Sequence, residues 1–290
     1  MPPGEIILPA LANGVLNGGV YALVALGLTL IYGVLHIINF AHGSLLMLAM
    51  YGAFFAFTLA GIDPYLALPA MMAAMGAVGF GLYRFVIGPC SHGLDRNILL
   101  VTLGSAVVLD NLALVLFTGD SRTIETPYSF TVIEVGGMLL SLPRLVSFAV
   151  AIVLCVGLAL LIARTDLGRA IRAVARERTG ARLVGIDVEH VFALSFAIGI
   201  ACLGAAACLL LPSFYVSPGV GNAFVLIAFT IVVLGGMGSF VGAMVGGIIV
   251  GLTESLGGLF LGEALGQIGI SLIFIVILLL RPTGLFGQRA

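Results

Sequence analysis

Leu145-Val146-Ser147-Phe148-Ala149-Val150-Ala151-Ile152-Val153-Leu154-Cys155-Val156-Gly157-Leu158-Ala159-Leu160-Leu161-Ile162-Ala163 is a run without a single charge, and it ends on Arg164. Roughly 18–20 apolar residues span a hydrocarbon core as a helix, so this run reads as a membrane span. It lacks the alternation of apolar and polar positions that a membrane barrel strand needs. Working outward, further apolar segments fall at 6–31, 44–60, 65–87, 97–117, 190–211, 222–237, 241–260 and 264–280. The run 222–260 is cut by Gly235-Gly236-Met237-Gly238, which leaves a loop, a kink or a re-entrant turn open. Eight or nine spans are expected.

Composition agrees. Hydrophobic residues make up 61% of the 290 and charged residues only 9%, where a soluble domain carries about 25% charged. The expected fold is all-α, a polytopic transmembrane helical bundle with some broken or re-entrant spans, forming one domain over 1–290. The first segment has no basic flank and is too long for the apolar core of a signal peptide, so it reads as a retained span.

Several function classes are excluded. A net charge of −1 offers no field for nucleic acid. All twelve basic residues are arginine, and without lysine there is neither a P-loop nor Schiff-base chemistry. Cys90, Cys155, Cys202 and Cys208 form no C-x-x-C pair, and three of them lie inside apolar runs, where cysteine behaves as a small hydrophobe. No metal site or disulfide is expected. Neither Gly-x-Ser-x-Gly nor zincin spacing occurs, so no catalytic residue is assigned and the chain does not read as an enzyme.

Arginine placement orients the bundle. Arg164, Arg169, Arg172, Arg176, Arg178 and Arg182 crowd one loop at about 164–190, which the positive-inside rule places in the cytoplasm. Two spans back, Arg84 and Arg96 fall on the same side. The loop 118–144 sets Asp120, Glu125 and Glu134 against Arg122 and Arg144, and belongs outside. Counting spans puts the N-terminus outside. Nine crossings then return Arg281 and Arg289 to the inside.

Three constellations stand out. The first is the loop 164–190 itself. Asp166 can cap a helix that places Ile171, Val174 and Ala175 on one face, Thr179-Gly180 breaks it, and Asp187 can cap the next span. An apolar ridge with a basic flank suits the groove of another protein; the plainer reading is a basic loop that fixes topology or touches anionic lipid. The second is His36-Ile37-Ile38-Asn39-Phe40-Ala41-His42-Gly43-Ser44, which separates two apolar runs without any full charge. A plain turn or an unwound segment lining a cavity inside the membrane both fit, the latter presenting helix ends to a polar solute. The third is Asp110-Asn111 within the span 97–117. An acid there costs about 2.5–3.5 kcal/mol unless it is paired or hydrated, which leaves a place on a solute path or an interhelical link. Glycines at four-residue spacing (Gly14 and Gly18; Gly238, Gly242 and Gly246; Gly247 and Gly251) make smooth ridges for packing, for a subunit interface or for a gating contact.

Three stretches together carry a likeness. They are Gly27-Leu28-Thr29-Leu30-Ile31-Tyr32-Gly33 leading into Ile38-Asn39-Phe40-Ala41-His42-Gly43; Val233-Leu234-Gly235-Gly236-Met237-Gly238-Ser239 with Gly242-Ala243 and Glu254-Ser255; and Arg281-Pro282-Thr283-Gly284-Leu285-Phe286-Gly287. The chain resembles the LivH-type permeases of bacterial ABC importers for branched-chain amino acids over nearly its whole length. The resemblance implies a multi-pass protein of the bacterial inner membrane and a second permease subunit, LivM-like or another copy. It also implies two ATP-binding subunits on the cytoplasmic face and a periplasmic solute-binding protein. ATP and magnesium would belong to the partners, so this chain would carry no cofactor. It assigns Gly168–Asp187 to the surface that engages the ATPase, with Arg169, Arg172, Arg176, Arg178, Arg182 and Gly185 as the coupling residues. Asn39, His42, Gly43, Ser44, Gly235, Gly236 and Gly238 would lie near the translocation path, together with Asp110 and Asn111. The family more often has an amide such as Gln where Asp110 stands, and importers of urea, short amides or aromatic acids share the scaffold. The competing class is a stand-alone secondary transporter or channel for a small polar solute.

Overall fold

The computed structural model describes residues 3–91, 95–135, 138–281 and 284–287. Pro282, Thr283 and Arg289, used in the reading above, lie outside them, as does the side chain of Arg96.

In chain order the elements are α1 (Pro3–Leu35), α2 (His42–Ala60) and α3 (Pro64–Leu82), which passes through a π-helical turn (Tyr83–Ile87) into α4 (Gly88–Ser91). Then come α5 (Asp95–Phe117), strands β1 (Val132–Val135) and β2 (Met138–Ser141), and α6 (Leu142–Arg164). The remainder is α7 (Asp166–Arg176), α8 (Arg178–Leu183), α9 (Val188–Leu210), α10 (Val220–Gly235), α11 (Phe240–Leu261) and α12 (Glu263–Leu280). Among the described residues seven helices are long and apolar enough to cross a membrane, and two shorter apolar ones cover Val220–Gly235 and Ile268–Ile277. Each apolar segment read from the sequence is a helix. The small antiparallel hairpin, pairing Ile133 with Leu140, was not foreseen.

Local chemistry sets several boundaries. Asp63 accepts from Tyr65 N and Pro64 opens α3, a side-chain cap followed by a residue that needs no partner for its missing N–H. Asp187 accepts from His190 N at the start of α9, as the sequence reading had it. At α7 the cap is Thr165, accepting from Gly168 N, and Asp166 lies in the first turn instead. The helix stops at Glu177, whose carboxylate caps α8, and not at Thr179-Gly180.

Most of α1 and α9 is buried inside the bundle, while α5 and α6 face mainly outward. Close approach at glycine makes this possible. A Cβ at Gly18 would stand 2.6 Å from Gly247 O, and one at Gly14 would stand 2.9 Å from Gly251 O, so α1 and α11 meet backbone to backbone. Gly242 and Gly246 pack on α10 in the same way. These ridges therefore serve packing within one chain.

The bundle has two distinguishable ends. At one, Gly33 abuts Gly238, Arg178 donates to Leu35 O, and Phe286 N donates to Gly235 O. At the other, Tyr128 donates to Asp63, Arg122 and Val216 exchange backbone bonds, and Arg144 donates to Asn13. The arginine-rich α7 and α8 and the stretch 284–287 share the first end. The hairpin lies at the second.

Candidate functional site: two broken spans and a basic end

α1 ends at Leu35, and His36 takes a left-handed conformation with φ +57° that turns the chain out of the helix. Residues 36–41 are extended or turn-like, and α2 begins at His42. His42 Nε2 donates to Val24 O at 3.0 Å. Val24 precedes Leu35 by eleven residues, which at 1.5 Å per residue puts it about 16 Å back along α1. The chain therefore doubles back and restarts as helix deep inside the bundle, the unwound segment that the sequence left as one of two readings. Asn39 Oδ1 accepts from Ala41 N and Asn39 O accepts from His42 N, which steers the turn. Asn39 and His42 are fully buried, and Asn39 Nδ2 and His42 Nδ1 have no partner.

A second break mirrors the first. α9 ends at Leu210, residues 211–219 lead inward, and α10 begins at Val220 with too few residues to span by itself. The two restarts meet. A Cβ at Gly43 would lie 2.2 Å from Gly221 O, and one at Gly221 would lie 2.3 Å from Gly43 O. The N-terminal ends of α2 and α10, where helix dipoles are positive and N–H groups lack helical partners, thus sit side by side within the bundle. Phe40 packs on Phe229, and Phe224 lies between Tyr21 and Phe214, closing apolar walls around the crossing. Ser44 is buried beside it.

The remaining residues singled out from the sequence lie elsewhere. Gly235, Gly236 and Gly238 are not at the crossing but in the turn between α10 and α11, at the bundle end that carries α7. Gly236 (φ +98°) and Gly238 (φ +88°) adopt backbone that favours glycine. Residues 284–287 strap this turn, with Leu285 N donating to Leu234 O at 2.8 Å. A cleft there is lined by Tyr32, His36, Arg172, Arg176, Met237 and Phe286. Asp110 is half-buried and Asn111 exposed on the outer wall of α5, where Asn111 Nδ2 donates to Val107 O of its own helix. Among the described residues no group of His, Cys, Asp and Glu is arranged to hold a metal.

At the basic end, the apolar ridge of α7 does not face outward. Ile171 and Val174 are buried against the bundle, which corrects the expectation that this ridge seats in a partner's groove. Arg178 also turns inward, donating to Leu35 O and lying 5.1 Å over the Phe192 ring. Arg172 donates to Ile162 O and Arg169 pairs with Asp166. Arg169, Arg172, Arg176, Arg182, Leu183, Val184 and Gly185 make up the exposed surface. Sequence reasoning missed Thr102, whose hydroxyl meets Phe40 N and ties α5 to the first break. A hydroxyl inside an apolar run was the signal available.

A helical bundle with two spans broken inside the apolar layer, and no catalytic or metal constellation among the described residues, defines a permease. Residues 10–280 match the family described as branched-chain amino acid transport system / permease component, and the chain belongs to that family. It is 36% identical to the high-affinity branched-chain amino acid transport system permease protein BraD of Pseudomonas aeruginosa, over 99% of this chain and 98% of that protein. It is 33% identical to LivH of Escherichia coli strain K12, over 97% and 96%. A probable branched-chain amino acid transport permease protein of Methanocaldococcus jannaschii is 29% identical, over 96% and 91%. No solved structure matches.

Proposed function

We propose that this chain is the membrane-spanning permease subunit of an ATP-driven importer for branched-chain or other apolar amino acids. It works beside a second permease subunit, either a related chain or another copy, with two ATP-binding subunits at the α7–α8 end and a solute-binding protein at the hairpin end. The α7–α8 end is cytoplasmic, with the C-terminus on that side and the N-terminus outside, in the bacterial inner membrane. ATP and magnesium sit on the partners.

The observation that carries the coupling is the mounting of α7. Its buried ridge of Ile171 and Val174 fixes it to the bundle, so a push on the exposed arginines moves α1 and α6 rather than a slack loop. Leu183 and Val184, 84% and 76% exposed, supply apolar contacts beside those charges. Motion reaching α1 acts on the Val24–His42 contact and on the crossing of α2 and α10. Asp110 and Asn111, polar on an outward wall, face the second permease and the solute path rather than lipid.

The test is reconstitution of the complex with Arg176→Glu or Gly185→Asp. The expected result is loss of ATPase association and of uptake in a folded permease. Intact assembly and uptake would overturn the coupling assignment. Uptake by this chain alone, driven by an ion gradient and indifferent to ATP, would instead establish the stand-alone transporter.

A further inference from the structure

The segment 118–141 holds three acids, Asp120, Glu125 and Glu134, against the single base Arg122. Arg122 is turned inward. Its guanidinium donates to Phe117 O and lies 5.8 Å over the Phe54 ring. The carboxylates are exposed. The surface this segment presents is therefore acidic.

At its centre stand large apolar side chains. Phe130 is 82% exposed, Leu139 65% and Val132 55%. On a helix between the two ends such exposure means contact with lipid. At the bundle end, on a hairpin, it marks a surface that another molecule covers. The platform is also held rigid. Tyr128 OH donates to Asp63 Oδ2 at 2.7 Å and its ring stacks on Tyr65 at 5.3 Å. Arg122 and Val216 exchange two backbone bonds of 2.8 Å. A surface fixed in place before binding loses little freedom when a partner arrives.

We infer that this hairpin is a docking platform for a soluble protein that presents an apolar patch rimmed by basic side chains. Under the function proposed above, on which this rests, that protein is the solute-binding partner. Acidic flanks argue against burial in a membrane surface, since anionic headgroups repel them. An aromatic anchor ringed by charge is the arrangement in which a few residues carry most of an interface.

The natural chain has no tryptophan, so Phe130→Trp places a unique reporter on the platform. In the assembled complex in nanodiscs, the expected result is quenching by aqueous acrylamide but not by brominated lipid. Adding the solute-loaded binding protein should protect the indole. Phe130→Ser combined with Glu134→Arg should weaken binding-protein affinity by about tenfold or more, with basal ATP hydrolysis unchanged. Quenching by brominated lipid, or protection by the second permease before any binding protein is added, overturns the inference. So does unchanged affinity of the double variant, with the importer reading left standing. If the wild-type complex binds no solute-binding protein and shows no ATP-driven uptake, both readings fall.

Discussion

Gly43 and Gly221 stand backbone against backbone where α2 and α10 begin, each so placed that a Cβ would fall within 2.3 Å of the other's carbonyl oxygen. No side chain fits between them. Gly43→Ala and Gly221→Ala should each destabilise the chain by about 1–3 kcal/mol through overpacking and abolish uptake. Gly104→Ala, where an added Cβ meets nothing within 4 Å, is the control and should be silent. Thermal unfolding in detergent separates the two.

His42 holds the first break to α1 through Val24 O. His42→Leu deletes that bond and leaves the carbonyl buried and unsatisfied, at a cost of about 1–3 kcal/mol. Uptake should fall further than stability, because the same contact sets where α2 restarts. Equal and small losses of both in parallel unfolding and uptake assays would assign His42 to packing alone.

Asp110→Asn should fold as the wild type does, since the side chain stands on the outer wall of α5 and makes no buried bond. Under the proposed function it should change uptake across a panel of amino acids, amides and carboxylates. An unchanged panel would remove Asp110 from the solute path.

Arg178→Ala and Arg182→Ala separate the two kinds of arginine at the basic end. Arg178 donates to Leu35 O and stacks on Phe192, so its loss should lower thermal stability by about 1.5–3 kcal/mol. Arg182, exposed and 3.7 Å from Glu189, should cost about 0–1 kcal/mol in the isolated permease. In the complex the order should reverse, with Arg182→Ala weakening ATPase binding.

The hairpin anchor has a pH signature. Burial and the Asp63 carboxylate push the Tyr128 phenol above its ordinary range, so its proton is held more tightly in the folded chain. The contribution of the Tyr128–Asp63 bond is therefore full below about pH 10 and fades as pH rises through the raised value. Tyr128→Phe should remove that alkaline dependence, read as the difference in melting temperature between neutral and alkaline buffer.

The sequence made the spans legible because lipid imposes a length and an apolar content that a linear string records. Residues 36–44 announced a break for the same reason, being polar where a span should continue. Direction was harder. Periodicity put Ile171 and Val174 on one face of α7, but nothing in their spacing says whether that face meets a partner or the chain's own helices. Arg178 was grouped with exposed arginines because charge alone does not reveal an aromatic ring supplied by Phe192. The crossing of Gly43 and Gly221 pairs residues far apart in the chain, each unremarkable alone. The hairpin was missed because 118–141 lacks the alternating apolar run that marks a strand. Its β1 is only four residues long and is held in place by tertiary anchors.

The strap formed by residues 284–287 bears on the order of assembly in the membrane. Its N–H groups satisfy Leu234 O and Gly235 O, yet it emerges from the ribosome only after α11 and α12. During synthesis the α10–α11 turn must wait with those carbonyls open, so this end of the bundle closes late. A stalled or truncated nascent chain would expose an unfinished seam at the face where α7 and α8 are displayed. A motor subunit that contacts the strap along with α7 would thereby join only to permeases whose insertion has run to its end.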